Sequence, residues 1–216
     1  RPSATRTLID VLFYGKYKGI LDFSPLPLLS ASWQNIHLDP NYIATFANIC
    51  GIENHNTIPF LYPFTLLYPL NLWLISRQEI PVPIFKMLSI RNQTTQHKEI
   101  SVNDVLDLNS RITGQQVVRT GLEFYVKSEI HCENELVWSN ISTLFVPEAP
   151  GERKIKPQRK LKPIKKVEDE VEWLLAGKDR FRFSRVSGDS NGIHYNSLWA
   201  KAMGFKRDFV QPIRLL

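Results

Sequence analysis

Residues 183–205 read FSRVSGDSNGIHYNSLWAKAMGF. Two ionisable groups, Asp189 and His194, stand five positions apart, with Ser187-Gly188 just before them. Gly188 and Gly192 admit backbone turns that a side chain would resist. Beyond His194, the residues Leu198, Ala202 and Phe205 recur at helical spacing, and Asn196 or Ser197 is suited to the N-cap. The stretch therefore predicts a loop that throws Asp189 and His194 to one side, just ahead of a short helix. A histidine beside a carboxylate can move protons near neutral pH. Backbone N–H groups at a helix start can hold a developing oxyanion. Taken bare, SGDSNG is also an ordinary turn, with Asp189 as a cap and His194 on the surface.

The whole chain sets the bounds. Its 216 residues are 43% apolar and 22% charged, which suits one or two packed cores and argues against global disorder. Cys50 and Cys132 belong to no CxxC or His cluster, so they read as free thiols, with no metal site. The chain begins at Arg1 without a Met, and its first residues carry no signal peptide pattern. The net charge of +6 is concentrated in residues 152–166, ERKIKPQRKLKPIKK, which hold eight Lys or Arg and one Glu. With two prolines and no aromatic ring, this run reads as an extended linker rather than a nucleic-acid surface.

Upstream, Leu8–Leu21 suits a short amphipathic helix, and Pro25, Pro27 and SASWQ read as extended. Asp39-Pro40 is a helix start, with Tyr42, Ile43, Phe46 and Ile49 on one face and Gly51 as the stop. Residues 56–76, NTIPFLYPFTLLYPLNLWLIS, have no charge and are long enough to suggest a membrane span. Pro59, Pro63, Pro69 and Asn71 favour instead a helix over about 63–76, apolar nearly all round and so buried on most sides. Strands are expected over 84–93, 105–113, 115–132 and 136–146, the last two joined by a Glu133-Asn134 turn. His97 has a structural or surface role in this reading. A short repeat also emerges: Phe46-Ala-Asn-Ile-Cys-Gly-Ile-Glu-Asn54 aligns with Phe183-Ser-Arg-Val-Ser-Gly-Asp-Ser-Asn191. Ile52 then faces Asp189, and Thr57 faces His194, so the first copy lacks the acid/base pair.

The run from Phe183 to His194 resembles the signature of the MaoC-like dehydratases, the (R)-specific enoyl-thioester hydratases: an aromatic, then Ser-Gly-Asp-x-Asn-Pro-apolar-His. Phe183, Ser187, Gly188, Asp189, Asn191, Ile193 and His194 fit, and the usual proline is Gly192 here. PFLYPFTLLYPL at 59–70 is also similar to the central helix of double hotdog dehydratases. The resemblance implies an α+β double hotdog, in which a curved antiparallel sheet wraps a long helix. Residues 1–150 would be a degenerate first half, 151–172 a linker, and 173–216 the start of the catalytic half. That second half would be incomplete here, with Gln211-Pro212 where the family usually carries His-Gly.

The implied activity is reversible hydration of a trans-2-enoyl thioester to a (3R)-3-hydroxyacyl thioester. Asp189 and His194 would be catalytic, and Ser187, Gly188, Asn191 and Gly192 would shape the substrate site. No metal or redox cofactor is implied. Coenzyme A or acyl carrier protein would enter as the substrate's handle, and the basic run could attract its phosphates or an acidic carrier. A cytoplasmic protein with no membrane span and no nucleic-acid partner, and a possible homodimer, complete the expectation. Two alternatives stand beside it: a non-catalytic acyl-thioester-binding or scaffold subunit, and a thioesterase. A thioesterase would want a carboxylate on the central helix, and residues 58–76 have none.

Overall fold

The computed structural model describes Arg6, Thr7, Ile9 and residues 24–52, 57–147 and 179–214. The expected helix at Leu8–Leu21 lies almost wholly outside the described residues, and the basic 152–166 run lies entirely outside them.

Five antiparallel strands form one sheet: β1 (Ser30–His37), β2 (Leu88–Gln96), β3 (Val105–Val118), β4 (Gly121–Cys132) and β5 (Glu135–Pro147), in the order β1-β3-β4-β5-β2. Two of the sequence boundaries move. Residues 84–86 make a 3-10 turn, so the strand expected from 84 begins at Leu88. The break expected near residue 114 is only an irregularity between Ile112 and Gly114, and β3 runs on to Val118. Alternation alone does not distinguish a bulge from a turn, because both shift the inward set by one residue. The Glu133-Asn134 turn forms as expected, with φ of 50° and 67° at its two residues. These are the left-handed values that a two-residue hairpin requires.

Helix α1 (Pro40–Cys50) starts and ends as its sequence dictates. Asp39 accepts a hydrogen bond from the Asn41 N–H at 2.8 Å, Pro40 fills the first turn, and Gly51 closes the helix at φ 71°. Helix α2 (Tyr62–Ile75) is the apolar run. It buries residues on every side, including Leu66, Leu67, Leu70, Leu72 and Leu74, and it packs against β1, β3 and β4. Among the described residues no helix is long and apolar enough to cross a membrane.

The amide side chain in α2 has a partner on the sheet. Asn71 Oδ1 accepts from Ser128 Oγ at 3.2 Å, and Ser128 Oγ lies 3.1 Å from Ser110 Oγ. Ser110, Ser128 and Asn140 are register partners across β3, β4 and β5. This polar row divides the core. One apolar cluster surrounds Phe46, Leu67, Leu108, Ile130 and Trp138, and the other surrounds Leu74, Leu122, Phe124 and Val126. Buried hydroxyls and amides keep their hydrogen bonds because leaving one unpaired costs about 1–3 kcal/mol.

The last described segment adds helix α3 (Arg180–Ser187) and the short helix α4 (Ser197–Ala202). α3 was not expected from its sequence, RFRFSRVS, whose arginines interrupt any apolar stripe. It matches α1 through the repeat. α3 ends at Gly188 with φ 78°, as α1 ends at Gly51, and the aligned rings of Phe46 and Phe183 touch, with centroids 5.8 Å apart. Contact between equivalent residues is what a two-fold arrangement of related copies produces. α4 is capped by Asn196, whose side chain accepts from the Trp199 N–H at 2.9 Å. Its buried residue is Ala200, whereas Leu198, expected on the inner face, is 78% exposed. Six residues make under two turns, too few for a periodic stripe to decide which face goes inward.

Candidate active site

The loop between α3 and α4 is built by its own short-range bonds. Ser187 Oγ accepts from the Asp189 N–H at 3.2 Å, Asp189 Oδ1 from the Asn191 N–H at 3.3 Å, and Asn191 Oδ1 from the Ile193 N–H at 3.3 Å. Each is a side chain capturing a backbone donor two residues on, the reason Asp, Asn and Ser favour turns. Gly188 has the left-handed conformation that its sequence suggested. Gly192 does not: its φ is not positive, and it opens a 3-10 turn (Gly192–His194). The reason for glycine there is the neighbouring side chain. A Cβ on residue 192 would lie 2.9 Å from Trp199 Cδ1 and 3.0 Å from Cγ.

This loop brings Asp189 and His194 together. His194 Nε2 lies 3.1 Å from Asp189 Oδ2, and both residues are buried. His194 Nδ1 lies 3.0 Å from the Phe209 carbonyl oxygen. A carbonyl only accepts, so this hydrogen bond assigns a proton to Nδ1. The Nε2–Oδ2 contact then needs one further proton, which the pair shares. Burial opposes the charged imidazole. The hydrogen bond and negative charge of Asp189, with the Phe209 carbonyl, outweigh burial and raise the His194 pKa above its ordinary value.

Phe209 clamps the loop from the other side as well. Its N–H donates to the Ile193 carbonyl at 3.2 Å, and its ring meets the His194 ring edge-on at 5.0 Å. Arg180 donates to the His194 carbonyl at 3.3 Å and pairs with Asp208. The Asp208 carboxyl is held below its usual range by its hydrogen bonds from Ser197 and Arg180.

One contact comes from far along the chain. Tyr68, on α2, donates its hydroxyl to Asp189 Oδ1 at 3.0 Å. Burial, then the charge and hydrogen bond of Asp189, raise the Tyr68 pKa well above its ordinary value, so the phenol stays a donor. Tyr68, Arg180 and Phe209 were all invisible as site residues in the sequence. Nothing local marks them, because Tyr68 and Asp189 are 121 positions apart and meet only through the packing of α2.

The pair opens onto a cavity of about 180 Å³ between α2, the sheet and the loop. Ser187, Asp189, Asn191 and His194 line it, with Tyr68 and Asn71 from α2. The rest of its wall is mainly apolar, with Leu72, Ile75, Met87, Val126 and Leu144. Gly188 and Gly192 shape the backbone rather than the wall. His97 is exposed and hydrogen-bonded to Ser139 Oγ at 2.9 Å, a surface position on the sheet. Among the described residues no group of three or more His, Cys, Asp or Glu is arranged to hold a metal ion.

Comparison with known proteins bears on the fold. No family model matches the chain. A curated relative, 3-hydroxyacyl-thioester dehydratase X of Mycobacterium tuberculosis, is 28% identical over 183 residues. The match covers 83% of this chain and 64% of the relative, so the chain spans slightly less than two thirds of that protein's length. The crystal structure of HtdX from the same organism superposes with a TM-score of 0.70 at 22% identity, over 87% of this chain and 72% of that one. A MaoC-like dehydratase from Phytophthora capsici gives a TM-score of 0.70 at 18% identity, over 88% and 72%. The fold is therefore the hotdog fold, and the resemblance read from residues 183–194 is borne out.

Proposed function

We propose that this chain, whose fold and signature loop are those of the MaoC-like hotdog dehydratases, interconverts trans-2-enoyl and (3R)-3-hydroxyacyl thioesters. The observation that carries the reading is the Asp189 Oδ2–His194 Nε2 pair, 3.1 Å apart, at the wall of a mainly apolar cavity. The relative's name, a 3-hydroxyacyl-thioester dehydratase, supports the substrate class.

In hydration, a water enters against Asp189 and His194, loses a proton to the pair, and its oxygen bonds to C3. The C2=C3 electrons move to C2, which takes a proton from the pair, so the elements of water are added and the pair ends as it began. A raised His194 pKa suits this work, because the group must both hold and release a proton near neutral pH. The thioester oxygen gains charge as the bond forms. Pro212, where the family usually carries glycine, has no N–H to meet it. The apolar wall formed by Leu72, Ile75 and Leu144 takes the acyl chain, and coenzyme A or acyl carrier protein remains outside as the handle. No metal or redox group enters any step.

The two departures from the family pattern, Gly192 and Gln211-Pro212, favour a second reading as a non-catalytic thioester-binding subunit. One experiment separates them. The natural gene product is assayed for hydration of crotonyl-CoA and longer enoyl-CoAs, together with its Asp189→Asn and His194→Gln variants. An enzyme loses several orders of magnitude in rate in either variant while still binding the thioester. A protein that binds enoyl-CoA but hydrates none of them, with either variant indistinguishable from the parent, is the binding subunit.

A further inference from the structure

The half of the molecule without an acid/base pair still reaches the pair, through Tyr68. We infer that Tyr68 is a positioning residue for Asp189, selecting which carboxylate oxygen handles the proton. The inference rests on the proposed hydration chemistry for its meaning, though not for its test.

The two oxygens of Asp189 have different surroundings. Oδ1 receives the Tyr68 hydroxyl at 3.0 Å and the Asn191 N–H at 3.3 Å. Oδ2 faces His194 Nε2 at 3.1 Å. With Oδ1 occupied by two donors, the lone pairs free for proton transfer belong to Oδ2, on the side of His194 and the cavity. A carboxylate tethered only by the loop could rotate about its Cβ–Cγ bond and present either oxygen. The phenol stops that rotation because it is itself held: Tyr68 sits one turn below Phe64 and one turn above Leu72 on α2, within the cavity wall. A donor on Oδ1 also draws on the charge that Oδ2 offers His194 Nε2, so removing it should strengthen the Asp189–His194 hydrogen bond.

Two readouts on the full-length protein test this. Tyr68→Phe keeps the ring and removes the donor. The expected result is a kcat about ten- to a hundredfold lower with KM changed far less, and a pH–rate profile displaced to higher pH. A role confined to packing would not displace the profile. The second readout needs no activity: the NMR titration of the His194 ring, identified by its loss in His194→Gln. Its midpoint moves up in Tyr68→Phe. If Tyr68→Phe fails to fold, 3-fluorotyrosine at position 68, a stronger donor, moves the midpoint down. A His194 midpoint that is unchanged by either substitution overturns the inference, as does a Tyr68→Phe profile that superposes on the parent's. Should the parent hydrate no thioester, the proposed function fails while the NMR shift still decides the role of Tyr68.

Discussion

Replacing Gly192 by the proline that the family signature carries tests why this loop departs from it. The backbone is already suited to proline. Asn191 is extended, with φ −66° and ψ 124°, as a residue before proline prefers, and Gly192 opens a 3-10 turn without a positive φ. On backbone grounds alone, Gly192→Pro stabilises the chain by about 0.4–1 kcal/mol, through the unfolded state. The obstacle is the Trp199 indole, 2.9 Å from the site of a Cβ, against an optimum of about 3.5–4.0 Å between carbons. Trp199 is held in turn by Phe85, edge-on at 6.2 Å, so it moves only at the cost of that packing. Overpacking of this kind costs about 1–3 kcal/mol. The clash wins, and Gly192→Pro lowers Tm by a few degrees at about 2–4 °C per kcal/mol. With Trp199→Leu the obstacle is gone, and proline at 192 then raises Tm relative to Trp199→Leu alone. Thermal melts of the parent, both single variants and the double variant give a coupling of about 1–3 kcal/mol. If proline stabilises while Trp199 is present, or costs the same in both backgrounds, the packing explanation for Gly192 is refuted.

Two further outcomes are expected. Because the folded-state pKa of His194 is raised, the pair's contribution to stability is fully present below the unfolded histidine value of about 6.5 and is lost as pH rises through the folded value. The stability gap between the parent and His194→Gln should therefore narrow on going from pH 6 to pH 9 in urea titrations. A gap that widens over that range contradicts the direction of the shift. Truncating either ring at the contact between the repeats, Phe46→Ala or Phe183→Ala, should cost about 3–5 kcal/mol, and the double variant should cost less than the sum, since the rings face each other 5.8 Å apart.

What was legible in the sequence was local. The Asp39 cap, the Glu133-Asn134 turn, the Asn196 cap and the approach of Asp189 to His194 each depend on residues a few positions apart, and each forms as read. Errors arose where the deciding contact was distant. Gly192 reads as a conformational glycine until Trp199 is seen above it. Leu198 reads as an inner residue until α4 proves too short for a periodic face. Residues 180–187 hide their helix because Arg180, Arg182 and Arg185 break the apolar pattern; Arg180 turns back to the loop and Asp208. Only the repeat with α1 carried a signal for α3. Asn71 argued in the sequence against a membrane helix, and its Ser128 partner on β4 supplies the physical reason.

The stretch at 46–57 that aligns with the signature loop lacks the Asp/His pair, yet the helix that follows it reaches the site. At the position of the buried Asp189 the first copy has Ile52, which is 36% exposed. Thr57 at the histidine position is exposed too, and neither Ile52 nor Thr57 can carry a proton-transfer charge. Phe46 and Phe183 touch, and α2 lies against the loop that carries the pair, with Tyr68 on Asp189. α2 therefore belongs to the site, because its Tyr68 touches the pair and its Leu72 and Ile75 line the cavity. Substitutions that alter the proposed hydration without touching residues 183–205 should therefore concentrate on the cavity face of α2, whereas changes at Ile52 should leave it as it is.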